Sequence, residues 1–362
     1  MLGSRAESVG VVYLARAADG FDAFSRFAAS YRCHPAGAEH ELIVLYKGFA
    51  QPGALAEARR QFHDLPHIGI ELADVGFDIG SYIETCRRVP HTYLCFLNTH
   101  TELAAPGWLA SLCNYATQDG IGIVGAMGSY ESIFDTVSLL LKVIWLSFGV
   151  EADRARNLAY YYDFVLTRYH PDWYESAMLG GRASSRRGRL AAWLARLWWY
   201  PRCRFGGTDL IWPGAEKFDI RQFSPFPNPH IRSNGFMVRR DRLSSLDLSR
   251  MRAKIDANLF ESGESSFTAQ LRQEGLAAIV VGRDGKGYGV SDWWRSGTFR
   301  LDGQANLLLT DNHTRAFEAM SAGARATHVR MTWGDYSGAA PDDFPDLGYG
   351  FCKGSLATKN AK

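Results

Sequence analysis

The first 125 residues repeat one pattern, a short apolar run followed by a segment with helical spacing. Val9 with Val11–Leu14, then Leu42–Tyr46, Ile68–Leu72, Tyr93–Leu97 and Ile121–Gly125, read as strands. Phe21, Phe24, Phe27 and Tyr31 share one helix face, and 54–62, 78–88 and 108–116 read as helices. Strands and helices alternating at this spacing constrain the chain to right-handed βαβ units around a mostly parallel sheet. A sheet of that kind receives ligands beyond the carboxyl ends of its strands. The polar residues just after each apolar run are therefore the first candidates for function.

Bulk properties narrow the choice further. A chain of 362 residues with 46% hydrophobic and 22% charged residues can bury a sizeable core, as two domains or as one large domain with insertions. The net charge of +2 excludes bulk attraction to nucleic acid. Six cysteines (Cys33, Cys86, Cys95, Cys113, Cys203 and Cys352) show neither CxxC nor zinc spacing, which fits reduced thiols. The start, Met1 to Gly10, lacks a signal-peptide pattern. No apolar run reaches the ~20 residues that span a bilayer, and 137–150 is interrupted by Lys142. A bacterial cytoplasmic protein is the expectation, with the inner membrane face as a further location.

Glycines at 125 and 128 break the repeat. Residues 133–222 read as a helical, basic and aromatic insertion. Between Glu175 and Asp209 it has no acidic residue but holds Arg182, Arg186, Arg187, Arg189, Arg196, Arg202 and Arg204 among tryptophans. Two readings stay open: an amphipathic helix lying in a membrane interface, or a helical hairpin packing 137–148 against 190–199. The sheet resumes near Phe223, with a strand over 233–240, a helix over 265–274 closed by Gly275, and a strand over 277–281. The expected division is 1–132 and 223–330 as two halves of one domain, 133–222 as the insertion, and 331–362 as a tail.

Candidate chemistry lies at the strand ends. Tyr93–Leu97 runs into Asn98-Thr99-His100-Thr101-Glu102, then Pro106-Gly107-Trp108-Leu109. Asn98 and His100 make a poor magnesium site, because hard cations prefer carboxylate oxygen. His100 with Glu102 suits manganese better. Arg16 and Lys47 follow the first two strands. Glu264 precedes a helix whose free N–H groups would keep a carboxylate ionised. Pro227 and Pro229 stiffen a polar loop bearing His230, Arg232 and Asn234. Trp293 and Trp294 have faces that stack on sugars and equally fill cores.

The Asn98–Glu102 stretch with its Pro-Gly-Trp-Leu sequel resembles a segment of bacterial family-2 glycosyltransferases. That segment lies at the edge of the nucleotide-sugar site, in place of the Asp-x-Asp metal motif of GT-A enzymes. Here the two Asp positions are Asn98 and His100. Ser233-Asn234-Gly235-Phe236-Met237-Val238-Arg239-Arg240 is similar to a second family segment, and counting back from Gly275 puts the family's catalytic carboxylate on Glu264. The resemblance, shared with rhamnan-synthesis enzymes, covers roughly 9–130 and 223–283. It implies a GT-A, Rossmann-like α/β fold with a mixed, mostly parallel sheet flanked by helices. It also implies inverting transfer of a hexosyl or deoxyhexosyl group from a nucleoside diphosphate sugar to a glycan or lipid-linked hydroxyl, in surface polysaccharide or lipopolysaccharide synthesis. Glu264 would be the general base, with Glu261 in reserve. Arg16, Lys47, Asp78, Asn98, His100, Glu102 and Arg295 would hold the donor. Asp78 has an ordinary helix N-cap as its alternative role. His230, Arg232, Asn234, Trp293 and Trp294 would hold the acceptor. Mn2+ or Mg2+ on His100 and Glu102 is one expectation for the diphosphate, and metal-independent catalysis is the other. Two rivals remain: a nucleotidyltransferase, and a catalytically silent glycan-binding protein of the same fold.

Overall fold

A computed structural model describes residues 8–136 and 220–334. The first half builds β1 (Val9–Arg16), α1 (Phe21–Cys33), β2 (Glu41–Lys47), α2 (Pro52–Arg60), β3 (His67–Leu72), α3 (Phe77–Arg88), β4 (Tyr93–Leu97), β5 (Glu102–Leu103), α4 (Trp108–Ala116), β6 (Ile121–Gly125) and β7 (Gly128–Ser129). The second half adds β8 (His230–Ile231), β9 (Phe236–Arg239), α5 (Arg240–Ser244), α6 (Lys254–Ser262), α7 (Phe267–Gln273), β10 (Ala277–Val281), β11 (Gly287–Tyr288), β12 (Leu309–Thr310), α8 (Asn312–Glu318) and α9 (Ala322–Trp333).

Eight strands form one sheet in the order β11-β10-β6-β9-β4-β1-β2-β3. Neighbours β1, β2, β3 and β4 run parallel, as do β6 and β10. β9 is inserted antiparallel between β4 and β6, and β11 closes one edge antiparallel. Both expected halves thus contribute strands to one mixed, mostly parallel, Rossmann-like sheet.

Strand side chains alternate between faces, and both faces are covered, which explains the unbroken apolar runs. Val11, Tyr13, Val44, Tyr46, Cys95 and Leu97 pack with Phe24 and Phe27 of α1, Ala58 of α2 and Trp108 of α4. Val12, Leu14, Ile43, Leu94 and Phe96 face Tyr82 and Ile83 of α3, Leu243 of α5 and Phe267 of α7. With α3 and α7 on one face and α1 and α4 on the other, the carboxyl ends of β1, β2, β4 and β6 share one edge.

Several boundaries differ from expectation. The helix expected at 265 starts at Phe267, because Ser266 caps it by accepting from the Ala269 N–H at 3.3 Å. Gly275 follows that helix with φ +83°, as a C′ glycine should. α6 was not foreseen. The tail expected from 331 begins inside α9, which continues through Trp333; that indole is fully buried and donates to the Phe299 carbonyl at 2.9 Å.

The chain leaves the sheet and returns along a paired stem. β7 pairs antiparallel with β8 through Ser129 and His230. The Asn228 N–H donates to the Tyr130 carbonyl at 3.0 Å, and Ser132 Oγ donates to the Ser224 carbonyl at 2.7 Å. The Phe226 N–H donates to Asp135 Oδ2 at 2.5 Å. The readings for 137–148, 190–199 and the arginine-rich stretch lie outside the described residues. Among the described residues no helix is long and apolar enough to cross a membrane.

Candidate functional site

Arg16 ends β1 and forms a two-pronged pair with Asp74, both contacts 2.9 Å. Asp74 lies in the loop from β3 to α3 and is held below the usual carboxylate range, first by that hydrogen bond. Asp19, on the turn after β1, is 4.0 Å from Arg16 and 3.8 Å from His100 Nε2. Asp78 sits in the first turn of α3. Burial raises its pKa, and Lys254 of α6 and Lys47 oppose the rise. Gly76, in the left-handed region at φ 72°, caps α3, so Asp78 is not the N-cap that the alternative reading gave it.

Lys47 departs from its expected role. Its side chain is fully buried, and Nζ donates to the Phe77 carbonyl and, at 2.9 Å, to Ser81 Oγ. Burial lowers its pKa. This ammonium ties β2 to the start of α3 instead of facing a donor.

The tip of β4 is folded by its own side chains. Asn98 Oδ1 accepts from the His100 N–H at 2.9 Å and from Thr101 Oγ1 at 3.2 Å, a local turn that occupies the amide oxygen. Asn234, before β9, accepts through Oδ1 from the Asn98 N–H at 2.9 Å and from Thr101 Oγ1 at 2.7 Å. Its Nδ2 donates to Asp311 Oδ2 at 3.3 Å. Asn234 is thus a buried tie between β4, β9 and α8 rather than an acceptor contact.

Glu102 likewise leaves its expected role. β5 pairs with β12, which brings α8 beside the β4 tip. Arg26 and Arg315 then reach the Glu102 carboxylate at 3.0 and 2.8 Å, and Arg315 also donates to the His100 carbonyl at 3.2 and 3.3 Å. A carboxylate shared by two guanidinium groups is a poor cation ligand. His100 with Glu102 therefore does not fit a divalent metal. Among the described residues no group of three or more His, Cys, Asp or Glu could hold one.

The second cluster surrounds β8. Glu261, near the end of α6, receives Arg232 Nη1 at 2.7 Å on Oε1 and the Ser233 N–H at 2.8 Å on Oε2. Burial pushes its pKa up, but Arg232, His230 and Ser233 outweigh that and hold it down to about 2. His230 is buried, which lowers its pKa, and its Nδ1 lies 2.8 Å from the Asn228 carbonyl. Asn228 Nδ2 donates to the Ser262 carbonyl at 2.6 Å, and the Ile231 N–H donates to Thr268 Oγ1 at 3.0 Å. The 228–234 loop is therefore fastened to α6, α7 and the β4 tip together.

Glu264 lies between α6 and α7, exposed, two residues before the cap of α7. Its N–H donates to the Gln222 carbonyl at 2.7 Å. The helix mouth assigned to it is occupied by Ser266. Trp293 is fully buried, stacks on Tyr130 at 6.0 Å and donates to the Tyr288 carbonyl at 3.0 Å, so it is core and not an acceptor platform. Trp294 is half-buried beneath Arg295, which lies 4.6 Å from its ring and 3.5 Å from Asp292, contacts within one turn.

Lys254 and Asp19 were missed. Lys254 opens α6 and lies 5.8 Å from the Phe77 ring, beside Asp78. α6 thus runs from the Asp78 neighbourhood to Arg232, about 10 Å at 1.5 Å per residue.

No family model and no curated protein matches this chain. Among solved structures, it is similar to the mannosyltransferase PcManGT from Pyrobaculum calidifontis, in complex with GDP-Man and Mn2+, at TM-score 0.29 and 14% identity over 33% of this chain and 35% of that one. It is also similar to GalNAc-T7 with UDP, GalNAc and Mn2+, at TM-score 0.27 and 16% identity over 34% and 23%. A third is glucosyl-3-phosphoglycerate synthase from Mycobacterium tuberculosis with Mn2+, UDP and glucosyl-3-phosphoglycerate, at TM-score 0.26 and 14% identity over 33% and 43%. Each match spans less than half of the other chain.

Proposed function

We propose that this chain is a GT-A glycosyltransferase that moves a sugar from a nucleoside diphosphate to a hydroxyl of a glycan or lipid-linked acceptor, in bacterial surface polysaccharide synthesis. One observation carries the reading. Three motifs far apart in sequence meet through hydrogen bonds at the carboxyl edge of the sheet: Asn98 to Asn234 at 2.9 Å, and Ser233 to Glu261 at 2.8 Å. Arg16, Asp78 and His100 lie on the same edge, where an open α/β sheet takes its ligand.

In this reading Asp78 accepts from the base or ribose, and Arg16 and His100 face the diphosphate. Lys254 adds a cation beside Asp78. Charge growing on the leaving diphosphate needs positive groups, which Arg16 and Lys254 supply. No step is assigned to a metal, because Glu102 is held by two arginines. Glu264 takes the proton from the attacking hydroxyl, and the anomeric carbon inverts. Glu261 is the weaker base, since a carboxylate with a pKa of about 2 has little affinity for a proton at neutral pH.

A thermal-shift panel of nucleotide sugars, with and without Mn2+, names the donor. Release of nucleoside diphosphate then tests the reaction. Glu264→Gln should slow it by about 10²–10⁴-fold, the usual worth of a general base. Full turnover in Glu264→Gln would remove Glu264 from the mechanism. Donor binding without turnover across the panel would leave the catalytically silent reading in its place.

A further inference from the structure

Arg232 is oriented more strictly than a general acceptor contact requires. Glu261 engages one terminal nitrogen, Nη1, at 2.7 Å. The guanidinium lies 5.1 Å from the centre of the Phe299 ring, which is itself buried. The backbone beneath it is fixed on both sides: the Arg232 N–H donates to the Met127 carbonyl at 3.0 Å, and the Ser233 N–H donates to Glu261. Among the described residues, Nε and Nη2 make no hydrogen bond, and the side chain keeps 17% of its surface exposed. That pair of N–H groups is the edge of a guanidinium that grips carboxylate or phosphate with two parallel bonds.

We propose that Arg232 is a preorganised receptor for an oxyanion of the substrate, a phosphate or carboxylate group, and that Glu261 is the residue that positions it. This deepens, and rests on, the sugar-transfer reading: one substrate carries a negative group at this point. Two sources share that chemistry, the diphosphate of the donor and an anionic group on the acceptor. The geometry also gives Glu261 a role other than its reserve role as base. Both of its oxygens are occupied, one by the guanidinium and one by the loop backbone.

The pair is half of a larger arrangement. Arg300 lies on the same Phe299 ring at 4.6 Å with Nη1 held by Glu131 and Thr332, each at 2.9 Å, but its side chain is only 3% exposed and its Nε is buried. Of the two guanidinium groups on that ring, Arg232 is the one with an open gripping edge.

Calorimetry on the full chain tests the proposal with inorganic phosphate and pyrophosphate as probes, then with UDP and GDP. Wild type should bind at least one inorganic probe. Arg232→Lys keeps the charge but loses the two-pronged edge, and should weaken that binding about tenfold or more. Glu261→Gln keeps an acceptor for the Ser233 N–H but loses the charge that orients Arg232. It should weaken the same binding several-fold, and Glu261→Asp should restore part of it. A Glu261 that acted only as a base would leave anion binding untouched. If Arg232→Lys also weakens the nucleoside diphosphate, and saturating UDP or GDP displaces pyrophosphate, the oxyanion is the donor's. If nucleoside diphosphate binding is spared and a phosphate still binds beside it, the oxyanion is the acceptor's. Wild-type anion affinity in Arg232→Lys, with a native melting curve, overturns the proposal, as does a wild type that binds neither probe. Should no nucleotide sugar bind or turn over while Arg232→Lys still loses the anion, the receptor stands and the sugar-transfer reading falls.

Discussion

Arg16 and Arg232 each hold a carboxylate at the same edge of the sheet, but in different surroundings. The Arg16–Asp74 pair is open, with side chains 37% and 38% exposed; the Arg232–Glu261 pair is enclosed, at 17% and 15%. An open pair is worth little, commonly under about 1 kcal/mol, so a ligand can take over either partner at small cost. An enclosed pair resists exchange, because removing one partner leaves a buried charge. The first half of the edge is thus free to trade contacts, whereas the second half is set before any ligand arrives.

The sharpest way to break this contrast is deeper in the enclosed region. Arg300→Met breaks the enclosed Arg300–Glu131 pair, at side-chain exposures of 3% and 8%, and should cost about 3–5 kcal/mol in chemical denaturation. A loss below 1 kcal/mol would mean that the region is not preset.

Glu261 gives the next largest effect, read against pH. Its folded-state pKa of about 2 lies below the ordinary 4.5, so its contribution is present above the unfolded pKa and disappears as pH falls through about 2. Wild type should lose on the order of 3 kcal/mol across that window through this group. A pH series of melts on Glu261→Gln should lack this acid limb.

Asn234→Ala comes third. It leaves the Asn98 N–H without its acceptor and the Thr101 hydroxyl with only the longer contact to Asn98 Oδ1, at about 1–3 kcal/mol by denaturant titration. Asp74→Asn should move stability least, by less than about 1 kcal/mol. It should still change nucleotide affinity in calorimetry, because it frees Arg16. A large stability loss in Asp74→Asn would erase the distinction between the two halves.

What the sequence made legible follows from periodicity. β1, β2 and β4 are buried on both faces, so each is an apolar word such as Leu42-Ile43-Val44-Leu45-Tyr46, whereas β3 at the sheet edge is only partly buried. α6 carries no such signal: nearly every residue from Ile255 to Glu261 is half-buried, so no clean stripe marks it. Missing α6 also hid Lys254 and put Glu261 outside a helix. Asp19 is one acid on a short turn, and only the fold brings it within 3.8 Å of His100. Trp293 could not be sorted from sequence, because the same indole suits a core and a sugar face; burial against Tyr130 decided it. The fate of Glu102 depended on α8, more than 200 residues later, delivering Arg315.

The antiparallel stem from Ser129 to His230 has an architectural consequence. It clasps the outgoing and returning chain at one spot, so strand register no longer depends on what is spliced between 136 and 220. Because the entropy of closing a loop grows slowly with its length, the join works as a graft point. A segment of another length joined there would leave the carboxyl edge of the sheet unchanged.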